Sequence, residues 1–128
     1  MKQTLLLASS GVLMGLLTSL VGLPGMVEVS AWAALYLVWL VYGIKARVAS
    51  PLRAMAFAST LAGLLCGSTQ VILMEQYKLN NAWYASEFQT SSASELSTAF
   101  LVQGIIAGLV MGLIVGGLVR WRLLSEQP

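Results

Sequence analysis

The sequence contains no histidine and no aspartate, and its one cysteine is Cys66. Without histidine it lacks the usual axial haem ligand, the commonest metal ligand and the commonest general base. One cysteine excludes an intrachain disulfide and any site built from several thiolates. Charge is scarce too: 9% of the 128 residues are charged, against about 25% in a typical soluble domain. The formal charge of +2 is too small to attract nucleic acid. No phosphate loop, paired histidines, cysteine pair or nucleophile elbow occurs. The expectation is a chain with no cofactor, no metal, no catalytic residues and no nucleic-acid partner. Glu28, Glu75, Glu87 and Glu95 are the carboxylates an enzyme could use, but nothing in their spacing selects an acid–base pair.

What the chain has instead is apolar surface, at 58% hydrophobic residues. Small domains bury the smallest fraction of their surface, so so much apolar area needs a lipid bilayer as its solvent. A membrane span takes about 20 apolar residues, and four such runs are present. They cover about 4–22, 26–44, 53–74 and 98–119. Gly22–Leu23–Pro24–Gly25 interrupts the first pair. Ser50–Pro51 reads as an N-cap followed by proline in the first turn of the third span. A polar segment, 75–97, separates spans three and four. It is expected to carry a short interfacial helix, and Ser92 and Glu95 have capping-box spacing. The sequence thus predicts an all-α integral membrane protein, one domain over 1–128, folded as an antiparallel bundle of successive neighbours. An N-terminal signal peptide cleaved after Ala31–Trp32–Ala33 is disfavoured, because the apolar stretch is too long and another follows at once.

Charge sets the expected orientation. Lys2, Lys45, Arg47, Arg53, Arg120 and Arg122, six of the seven basic residues, fall on one side of a chain that crosses four times. Lys78 and the four carboxylates named above fall on the other. Basic residues stay cytoplasmic, so both termini are expected inside, in the cell membrane. Three spans would scramble this pattern.

Small residues recur at helical spacing. Gly104, Gly108, Gly112 and Gly116 form one row in span four, and Gly11, Gly15 and Ser19 another in span one. Span three has two rows, Ala54, Ala58, Ala62 and Cys66, then Ser59, Gly63 and Gly67. In lipid, such rows let helix backbones approach closely. Spans one, three and four are therefore expected to form the tight core. Span two carries the bulky stripe Trp32, Tyr36 and Trp39 and should be more exposed to lipid. One small partner row cannot serve the glycine faces of both spans one and four, which points to self-association or to another membrane protein as partner.

Polar groups inside a membrane are candidates for function. No charge lies deep in a span. Small multidrug transporters carry a glutamate in the middle of span one, where this chain reads SSGVLMGLLTS (Ser9–Ser19). Gln70 and Gln103 both fall about 8 Å below the same boundary, by a rise of about 1.5 Å per residue. Their amides are expected to meet, with Glu75 and Glu28 near the mouth of the same polar site. Trp83 and Tyr84 in the polar segment, and Trp121 between Arg120 and Arg122, read as interface anchors. Two functions compete: a non-enzymatic subunit or scaffold that docks helices on its glycine faces, and a small homo-oligomeric channel or transporter entered near Gln70 and Gln103.

Overall fold

The computed structural model describes residues 2–126, apart from the side chains of residues 85 and 87. Three of the carboxylate positions named above, Glu28, Glu75 and Glu95, fall in this set, whereas the Glu87 side chain lies outside it. Among the described residues all regular structure is helical. Helix α1 (Lys2–Leu16) runs into a single π turn at Leu17–Val21. Then follow α2 (Gly25–Lys45), α3 (Pro51–Ile72), α4 (Met74–Asn80), a 3-10 turn (Ala82–Tyr84), α5 (Ala85–Thr90) and α6 (Ala93–Ser125). Four stretches, Lys2–Val21, α2, α3 and α6, are long and apolar enough to cross a membrane.

The helix ends follow local chemistry. Gly22 stands at φ +73°, in the left-handed region that glycine enters without a Cβ penalty, and ends the first apolar run. Pro24 starts the next as the N-cap of α2. Ser92 and Glu95 form a complete capping box. Ser92 Oγ accepts from the Glu95 backbone N–H at 3.3 Å, and the Glu95 carboxylate accepts from the Ser92 N–H at 2.7 Å. Consequently α6 begins at Ala93, five residues before the apolar run, and extends for 33 residues. Pro51 opens α3 as expected, but Ser50 does not cap it. Ser50 sits at φ +52°, away from the extended conformation that turns an N-cap hydroxyl onto the first free N–H groups.

Packing centres on α3. The glycine row of α6 lies against it in descending register. A Cβ on Gly104 would strike the Gly63 carbonyl, one on Gly108 the Ser59 carbonyl, and one on Gly112 the Met55 carbonyl oxygen at 2.5 Å. On Gly116 it would come within 2.8 Å of the Leu52 Cα. On α1 the register ascends: Gly11 meets the Ala62 carbonyl, and Gly15 meets Thr69 and Cys66. The two small rows of α3 thus receive one helix each. The two glycine faces therefore do not compete for one small row: α3 has two small faces, and both glycine rows pack within the molecule.

Helix α2 is held differently. Its contacts run through long side chains to α3 and α6 rather than through close backbones. Tyr36 and Trp39 are buried with Met55, Ala58, Ala62, Val115 and Val119. Trp32 stacks on Tyr36 at 5.7 Å between ring centroids, and Trp39 meets Tyr36 edge-on at 5.5 Å. The aromatic stripe faces the core, while Leu37, Val38 and Val41 face out, and α2 is the least buried of the four long helices, as expected of span two. Large side chains fill the wider gap that small residues cannot. Successive helices are consequently not always the closest neighbours: α1 packs on α3, and α2 approaches α6.

Candidate functional site

Two places hold polar side chains where apolar ones would be cheaper. The first is at the end of the molecule where α1, α3 and α4 converge. A π turn leaves backbone carbonyls out of α-helical register. Here side chains from α4 and its C-cap take them up. Asn80 Nδ2 donates to the Ser19 and Leu20 carbonyls at 2.9 and 3.1 Å. Asn81 Nδ2 donates to the Thr18 carbonyl at 2.9 Å and to the Tyr77 carbonyl at 2.8 Å. Asn81 is 1% exposed, so these bonds replace water that cannot reach it.

Gln70 belongs to this cluster. Its Nε2 donates to Thr18 Oγ1 at 3.0 Å. The Thr18 hydroxyl lies 3.0 Å from the Met14 carbonyl and 3.1 Å from that of Gly15. Ser19 Oγ is buried without a partner. Gly22 approaches so closely that a Cβ would meet the Asn80 carbonyl. No expectation from the sequence linked span one to the polar segment. The one available signal was the pair Asn80–Asn81, whose partners lie some sixty residues away.

The second place is Gln103. It is exposed on α6, and among the described residues its amide makes no hydrogen bond. The predicted meeting of Gln70 and Gln103 is thus not what the structure has. Gln103 precedes Gly104, and one helical step of about 100° carries its side chain off the α3 contact. The register separates the two glutamines as well: Gly63 faces Gly104 and Gly67 faces Phe100, so Gln103 lies level with the stretch just after Gly63, roughly 9 Å along the axis from Gln70 at a rise of about 1.5 Å per residue. Neither Glu28 nor Glu75 is hydrogen-bonded to Gln70, whose amide goes to Thr18. Glu28 lies in the first turn of α2. Glu75 is exposed and lies 3.6 Å from Lys78 Nζ, one turn on.

The aromatic residues of the polar segment fold over the same end. Tyr77 meets Phe100 edge-on at 4.9 Å and Phe88 at 6.0 Å. Tyr84 lies 6.4 Å from Phe88, drawn inward, whereas Trp83 remains 48% exposed. The segment forms two short helices, α4 and α5, rather than one. At the opposite end Trp121 is exposed between the exposed Arg120 and Arg122. Among the described residues no group of three or more histidine, cysteine, aspartate or glutamate side chains is placed to hold a metal ion.

The fold is that of an all-helical chain with four helices fit to span a membrane, a composition compatible with a membrane protein. No protein-family model, no curated protein and no solved structure matches it.

Proposed function

We propose that the chain is a non-enzymatic, four-span subunit of the cell membrane that associates with another transmembrane helix through the outward face of α6. The observation that carries this reading is the Gln103 amide. Four helical steps place Ala99, Gln103, Val110, Ile114 and Gly117 within one stripe opposite the glycine row. Val110 and Ile114 are exposed, and a Cβ on Gly117 would touch nothing within 4 Å. An unpaired amide facing hydrocarbon is costly, and glutamine is a recurrent interhelical glue for that reason. The glycine rows do not serve as the docking faces in this reading, because both are filled by α3.

The proposed topology is an antiparallel bundle with both termini cytoplasmic. It is supported by the contact register, which runs opposite for α3 and α6 and in the same direction for α1 and α3, and by the separation of charge between the two ends. Gln70 turns inward to Thr18 while Gln103 faces outward, so no shared polar entrance supports the channel alternative.

The test is native mass spectrometry of the complex, extracted gently from its own membrane, beside Gln103→Leu. The expected result is a mass above the monomer for the wild type, lost in the variant while its helical signal persists. A monomer in both, or a complex that survives the substitution, overturns the reading.

A further inference from the structure

At the basic end, Glu126 holds two arginines from separate elements. Its Oε2 lies 3.4 Å from Arg47 Nη2, in the link between α2 and α3, and its Oε1 lies 3.3 Å from Arg122 Nη2 on α6. Both are single contacts, longer than the roughly 2.7–2.9 Å of a strong charge-assisted bond. The carboxylate also sits at the C-terminal end of α6, where the helix dipole disfavours negative charge. Arg47 is presented from a backbone at φ +44°, a conformation that non-glycine residues seldom adopt. The Arg47 and Arg122 side chains remain 75% and 53% exposed. Trp121, 69% exposed, adjoins Arg122 and suits the headgroup layer.

We propose that Arg47 and Arg122 form a seat for the phosphate of an anionic lipid headgroup, and that Glu126 occupies this seat when no such lipid is bound. A phosphate offers several acceptor oxygens to two guanidinium forks, where the carboxylate offers one to each. Two features favour a lipid over a free anion: the seat lies at the end of apolar helices, and it stands beside an exposed tryptophan. The proposal rests on the membrane reading but not on the Gln103 contact.

The full chain is first reconstituted in phosphatidylcholine vesicles and floated. Flotation with the vesicles tests membrane insertion separately, and a chain that stays behind overturns the membrane reading itself. The inserted protein is then transferred to nanodiscs of phosphatidylcholine with phosphatidylglycerol, and retained lipids are counted by native mass spectrometry. Wild type is expected to retain phosphatidylglycerol selectively. Arg47→Gln with Arg122→Gln is expected to weaken that preference by about fivefold per arginine, and Glu126→Gln to strengthen it. Equal retention by the wild type and the double variant overturns the seat. Unchanged retention in Glu126→Gln overturns the competition. Displacement of the lipid by inorganic phosphate at constant ionic strength overturns the assignment to a headgroup.

Discussion

At the residue scale, the four glycines of α6 are not equivalent to their neighbour Gly117, although all five lie in one apolar run. Gly104 and Gly63 face each other so closely that a methyl group on either meets the other's carbonyl. Gly63→Ala is therefore expected to force α3 and α6 apart and to lower stability by about 1–3 kcal/mol, the usual range for overpacking. Gly117→Ala meets open space and should lie within about 1 kcal/mol of wild type, since alanine is the better helix former. Thermal unfolding of the two variants in the same detergent checks this pair. Equal midpoints would show that the α3–α6 contact is looser than its backbone register indicates.

At the element scale, what was legible in the sequence depended on whether its cause was local. Ser92 and Glu95 specify the start of α6 because both members of the capping box lie within one turn. Gly22 and Pro24 mark a helix break for the same reason. The π turn at Leu17–Val21 left no such mark. Its displaced carbonyls are answered by Asn80 and Asn81 across the fold, and neither residue type announces a distant partner. The separation of Gln103 from Gln70 was hidden likewise, because it is set by the register at which α6 meets α3, with Gly63 opposite Gly104. The inward turn of Tyr36 and Trp39 was hidden because bulk alone does not distinguish a filled gap from a lipid-facing stripe. Tyr36 carries a hydroxyl that meets Ser59 Oγ at 2.9 Å, and this bond gives the inward face a polar reason as well as an apolar one.

The asparagine clamp yields its own test. Asn81→Leu removes the donor to the Thr18 carbonyl in a site that water does not enter, a loss of about 1–3 kcal/mol. Hydrogen exchange at residues 17–22 is expected to accelerate, while α6 amides around Gly108 keep their protection. Uniform acceleration along the chain would mean that the clamp supports the whole fold rather than the π turn. Ser92→Ala offers a contrast at the other end of the polar segment. It should fray only residues 93–96, because the capping box satisfies the first N–H groups of α6 and nothing beyond them.

At the scale of the whole molecule, charge is the feature that no single helix explains. The end carrying Lys2, Lys45, Arg47, Arg53, Arg120 and Arg122 has six cations against Glu126, a balance of +5. The other end has Lys78 against Glu28, Glu75, Glu87 and Glu95, a balance of −3, and the two together make the formal +2. Arg47 and Arg122 meet Glu126 at the first of these ends. Short basic links resist translocation across the membrane, so the proposed topology puts the +5 end in the cytoplasm. With Cys66→Ala as background, Gln89→Cys and Ser125→Cys place one thiol at each end. An impermeant maleimide on intact cells is expected to label position 89 at once and position 125 only after the membrane is opened. The reverse pattern would invert the molecule. Complete labelling of both would break the four-crossing count, because α6 alone separates the two positions and would then fail to cross. Changing Lys45, Arg47 and Arg53 together to glutamine removes three of the six cations and should yield a mixed population, with position 125 partly labelled before opening. If the population stays uniform, the link between α2 and α3 does not set orientation, and the charges at Lys2, Arg120 and Arg122 suffice.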